Sequence, residues 1–107
     1  MSTLSTVSTV TPYAGGEYPK TWNGSEFVDL QPDATGPVYT LTCPDYWQWQ
    51  GCIASDVTDE ERVRRMLQAG LLAIDGSTQA AERFIASPRP NLVNPLVQAI
   101  AELALGN

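Results

Sequence analysis

Histidine is missing from this chain altogether. That removes the commonest general base near neutral pH, and with it every Ser-His and Cys-His nucleophile pair. Basic residues are scarce as well: 6 Lys and Arg stand against 12 acids, giving a net charge of −6 and a sequence pI of about 4.3. Arg62, Arg64 and Arg65, half of the basic set, sit among acids. Binding to phosphates draws on clustered Lys and Arg that displace counterions, so neither nucleic acid nor an anionic membrane surface is an expected partner. The acids are scattered, with Asp59-Glu60-Glu61 the one dense run. A solvated helix face is therefore favoured over an acidic mimic of DNA. No apolar run approaches the ~20 residues that span a bilayer. The N-terminus has no basic stretch leading into an apolar one, so no secretory signal is expected.

Cysteine is limited to Cys43 and Cys52. Without histidine the two make a poor zinc site. If Pro44 opens a helix, they stand more than about two turns apart, beyond disulfide reach. Free thiols in a reducing compartment are the expectation. Phosphate-cradling loops are absent too: there is no GxGxxG motif, and Gly15-Gly16 lacks the lysine of a P-loop. Asp56, Asp59, Glu60 and Glu61 do not have EF-hand spacing. A carboxylate pair for glycoside cleavage stays open, but a chain of 107 residues has little room for a deep cleft. A non-catalytic protein without cofactor or metal is expected.

What is present begins with a repeat. Residues 2–11 read STLSTVSTVT and place Leu4, Val7 and Val10 at period three, which is neither a helix nor a strand period. Ser and Thr bury too little surface to offset ordering entropy, which favours a flexible tail. The alternative is an extended arm that docks on a neighbour. The division drawn is an arm over residues 1–17 and a single small α+β domain over residues 18–107. Within that domain a β-meander spans 18–42 and a helical region 43–107. Asn23-Gly24 predicts a two-residue hairpin turn between a strand ending at Trp22 and one over Phe27–Leu30. A second hairpin through Gln31–Pro37 leads into Val38–Thr42, rich in β-branched and aromatic residues.

After Thr42 the pattern turns helical. Pro44 reads as the first helical position of a helix carrying Tyr46, Trp47, Trp49 and Ile53 and ending near Ser55. Thr58 and Glu61 form a capping box for a helix over Asp59–Ile74. Its Val63, Met66, Leu67, Gly70, Leu71 and Ile74 share one face, and Glu60 and Glu61 precede Arg64 and Arg65 by four residues. Ser77 caps a third helix with Ala80, Ala81, Phe84 and Ile85 inward. Asn94 caps a fourth, with Pro95 first and Leu96, Val97, Ile100, Leu103 and Ala104 as its apolar face. The expected core is Leu41, Trp49, Ile53, Val63, Met66, Leu67, Leu71, Ile74, Phe84, Ile85, Leu96, Val97, Ile100 and Leu103.

The most conspicuous local feature is Tyr46-Trp47-Gln48-Trp49. Residues two apart on a helix point about 200° apart, so Trp47 and Trp49 cannot share one core. Trp49 is in phase with Tyr46 and Ile53 and is the core candidate; Trp47 lies under the meander or at an interface. Trp and Tyr are favoured interface anchors. Trp22, Tyr46 and Trp47 are accordingly the candidate partner-binding residues, joined by Leu4, Val7 and Val10 if the arm docks.

The strand Val38–Thr42 running into Pro44–Trp49, the helix start Asp59–Leu67 and the closing helix Leu96–Leu103 together resemble the phage tail assembly chaperones. These small proteins accompany assembly of the tape measure and tail tube of long-tailed phages. The likeness is one of element order over about three quarters of the chain, and the Ser/Thr-rich arm is not part of it. It implies no catalytic residues. It does imply protein partners, among them assembly or virion subunits or further copies of the chain, and the host cytoplasm as location. The arm fits better a structural virion subunit such as a connector, tail or decoration protein, located in the virion. A third reading is a small acidic inhibitor of a host protein, whose binding would be strongly salt-sensitive.

Overall fold

The computed structural model of the chain describes residues 14–105. Strands β1 (Tyr18–Trp22), β2 (Phe27–Asp29), β3 (Val38–Leu41) and β4 (Leu71–Ile74) form one antiparallel sheet in the order β2-β1-β3-β4. The helices are α1 (Tyr46–Ile53), α2 (Asp59–Gly70), α3 (Thr78–Ala86) and α4 (Pro90–Ala104). The α+β class matches the sequence pattern; the sheet departs from a meander in two ways.

First, β3 pairs with β1, not β2: Tyr18 registers with Leu41 and Thr21 with Val38. The 30–37 connection carries the chain back past β1 to its other edge. This puts β3 inside the sheet, where Tyr39 and Leu41 are buried, and leaves the three-residue β2 at the edge. Lys20 and Asp29, directly opposite across β1 and β2, form a 2.6 Å ion pair at that edge.

Second, α2 stops at Gly70 and residues 71–74 become a fourth strand. Leu71 and Ile74 satisfy helix spacing, but Leu71–Ile74 also alternates: Leu71 and Ala73 are buried while Leu72 is 40% exposed. The strand satisfies the free edge of β3, with Leu41 opposite Leu71 and Tyr39 opposite Ile74. Asp75-Gly76 then turns the chain with φ of 52° and 79°. Asp75 secures the strand end, its N–H donating to Val38 O at 2.7 Å and its carboxylate accepting from Val38 N at 2.9 Å.

Three boundaries shift. The β1–β2 turn centres on Gly24-Ser25, since Trp22 pairs with Phe27 and Asn23 N–H donates to Glu26 O. Only Gly24 takes positive φ (103°), while the Asn23 side chain accepts from the N–H groups of Ser25 and Glu26. Helix α1 is capped by Asp45, whose carboxylate accepts from Gln48 N while Gln48 reaches back to Asp45 N. This box fixes the start two residues after Pro44, which lies outside the helix. Helix α4 begins at Pro90, not Pro95, and Pro95 sits inside it. The lost hydrogen bond near the helix start is offset by burial of Leu92. The Thr58 cap on Glu61 N and the Ser77 cap on Ala80 N occur as the sequence indicates, but the expected box does not close: the Glu61 carboxylate accepts from Arg65 Nε instead of the Thr58 N–H.

The core joins the sheet to α2 and α4 through Leu41, Met66, Leu67, Leu71, Leu96, Ile100 and Leu103. Trp49, Val63, Ile74, Phe84, Ile85 and Val97 pack against it half-buried. Phe27, Tyr39, Cys43, Cys52 and Leu92 are core residues that helix and strand periodicity did not single out. Ile53, expected inside, is 45% exposed.

Candidate protein-docking surface on the first helix

Helix α1 reads YWQWQGCI and holds no charged residue. Its one fully buried side chain is Cys52, with Trp49 half-buried beside it. That phase turns Tyr46 and Trp47 outward, 63% and 78% exposed, and Ile53 with them. The expected in-phase set of Tyr46, Trp49 and Ile53 therefore splits: Trp49 packs inward and the other two do not. The phase is set from α2. Arg62 Nε donates to Cys52 O at 3.0 Å and Arg65 Nη1 to Gly51 O at 2.9 Å. These arginines satisfy carbonyls at the C-terminal end of α1 that have no partner within the helix. They also place positive charge where the helix dipole favours it. Arg62 and Arg65 are held in turn by Asp59 (2.9 Å) and Glu61 (3.2 Å), and Arg64 lies 3.9 Å from Glu60.

Tyr46 and Trp47 meet edge to face, centroids 5.0 Å apart and planes at 84°. Beside them an open groove of about 300 Å³ runs between α1 and α2. Trp47, Gly51 and Cys52 line one side and Arg65, Gln68 and Ala69 the other. Gln68 also borders a second hollow of about 280 Å³ against α3, with Arg64, Glu82 and Ile85. Large exposed aromatics beside a groove, with charge depleted at the centre, are the composition of an interface core.

The other candidates are elsewhere. Trp22 is half-buried and belongs to an aromatic chain through the sheet: Trp22–Phe27 (5.1 Å), Phe27–Tyr39 (5.0 Å) and Tyr39–Phe84 (6.2 Å). It packs against the core rather than joining Tyr46 and Trp47. Leu4, Val7 and Val10 lie outside the described residues. Sequence reasoning missed Gly51, Arg65 and Gln68 as groove residues. The available signal was a charge-free helical segment with a central glycine.

Both thiols are free and buried. Cys43 Sγ lies 3.4 Å from Leu103 O, and burial pushes its pKa up. Burial also raises that of Cys52, against a smaller downward pull from Arg65. Neither is a ready thiolate nucleophile. Among the described residues no cluster of metal-ligating side chains occurs, and no helix is long and apolar enough to cross a membrane.

Comparison with protein families, curated proteins and solved structures finds no match to this chain.

Proposed function

We propose that the protein is a non-catalytic binding protein that docks protein partners, other subunits or further copies of itself, through the Tyr46–Trp47 face of α1 and the adjoining groove, in the assembly of a large complex. The exposed aromatic pair carries this reading. Trp47 at 78% and Tyr46 at 63% exposed leave most of two large rings in water on a charge-free helix. Covering them with a partner releases apolar hydration at about 25 cal/mol per Å². The resemblance of element order to phage tail assembly chaperones supplies the finer identity: a chaperone acting in the host cytoplasm on a tail component. The Ser/Thr repeat of residues 2–11 favours a second reading, a structural virion subunit whose arm binds neighbours.

A photo-cross-linker placed at position 47, with a control at exposed Asp33, tests the reading in the producing cell. The expected result is a discrete adduct from position 47, with an assembly protein or a second copy of the chain, and none from position 33. Equal or absent adducts at both sites would overturn it. Content of the finished particle separates the two identities: a chaperone is absent, a structural subunit stoichiometric.

A further inference from the structure

The same helix carries both halves of a self-complementary contact. Trp47 and Gly51 stand four residues apart, on one face of α1, and line the same groove. One is the most exposed large hydrophobic side chain among the described residues. The other lacks a side chain and faces open space: among the described residues, a Cβ added at Gly51 would meet nothing within 4 Å. A cavity of about 150 Å³ holds benzene, so the groove's about 300 Å³ has room for an indole. A knob and a hole side by side on one surface are what a two-fold, isologous interface requires, because each copy must offer both.

We propose that α1 packs antiparallel on α1 of a second copy, each Trp47 seated over Gly51 of the other in the α1–α2 groove. This deepens the reading of the α1 face as an interface by naming one occupant, a second copy. Charge points to the same place. A chain of net charge −6 repels its own copies, and α1 is the helix without a charged residue. Arg65, at the groove, is already paired with Glu61 at 3.2 Å. The antiparallel arrangement also brings Asp45, the α1 N-cap, to the opposite copy's α1 C-terminal end, where Arg62 and Arg65 are anchored. Opposed helix dipoles then meet at both ends. The area implies a weak, concentration-dependent dimer. Two rings of 150–250 Å² each, largely exposed, supply on the order of 300 Å² per copy. That is under half of the ~800 Å² per partner of a standard interface.

Light scattering on the full chain across about 5 to 500 µM brackets a micromolar dissociation constant. The wild-type mass should climb from 11.6 kDa toward twice that value. Trp47→Ser removes the knob; Gly51→Gln fills the hole with a better helix former, so the helix persists. Each should weaken dimerisation at least about tenfold, with an unchanged circular dichroism spectrum. A wild-type chain that stays at 11.6 kDa throughout, or a dimer that both variants retain, would overturn the proposal. Cross-linking from position 47 to a different protein, with the chain monomeric, would leave the α1 face an interface while removing the second copy as its occupant.

Discussion

Gly70 and Gly51 are both helical glycines, and a methyl group added at each would meet opposite surroundings. At Gly70 it would collide with Ile100 on α4, whose Cγ1 and Cδ1 would lie 2.6 and 2.7 Å away. At Gly51 it would find open space. The first glycine belongs to a closed region in which α2, α4 and the sheet bury Leu41, Leu67, Leu96 and Ile100 almost completely. The second belongs to an open region, where α1 is held by arginine hydrogen bonds to its carbonyls and presents Tyr46, Trp47 and Ile53 to solvent. The same residue type thus marks tight packing in one place and an unfilled surface in the other. Stability resides in the first region, and the second is the one we propose for recognition.

The largest expected effect is in the closed region. Leu67→Ala should lower unfolding free energy by about 2–5 kcal/mol in urea denaturation, a large share of the ~5–15 kcal/mol typical of a domain. A loss below about 1 kcal/mol would place Leu67 outside a close-packed core. Gly70→Ala should cost about 1–3 kcal/mol through overpacking against Ile100, although alanine is the better helix former. Gly51→Ala should do the reverse and raise stability by up to about 1 kcal/mol, since only helix propensity changes there. Equal shifts of the same sign at the two glycines would erase the contrast between the regions. Smallest of all, Trp47→Ser should move stability by no more than about 0.5 kcal/mol. A loss of several times that figure would assign Trp47 to the core.

Where the sequence was a good guide, one physical cause acted alone. The Thr58 and Ser77 caps, the apolar positions Met66 and Leu67, and the closing face with Leu96, Ile100 and Leu103 are each dictated by local chemistry or helix periodicity. Where two causes competed, tertiary structure decided. Leu71–Ile74 fits both periods, and the unpaired edge of β3 selects the strand. Asn94-Pro95 is a sound helix start, but Pro90 is one as well, and the longer helix buries Leu92. On α1 the sequence pattern alone points to Trp49 and Ile53 as core residues. The actual phase is fixed by Arg62 and Arg65 on the following helix and by burial of Cys52. Residue type alone makes Tyr46 and Trp47 candidates for partner binding; the groove was not legible, because Arg65 and Gln68 reach it only through the packing of α2 on α1.

Radical footprinting of Trp47 tests the central claim most directly, comparing the dilute purified chain with the protein in extracts of the cells that produce it. Oxidation at Trp47 should fall several-fold in the extract while half-buried Trp22 is unchanged. Equal oxidation of Trp47 in both settings would show that nothing covers the α1 face, contradicting its role as an interface.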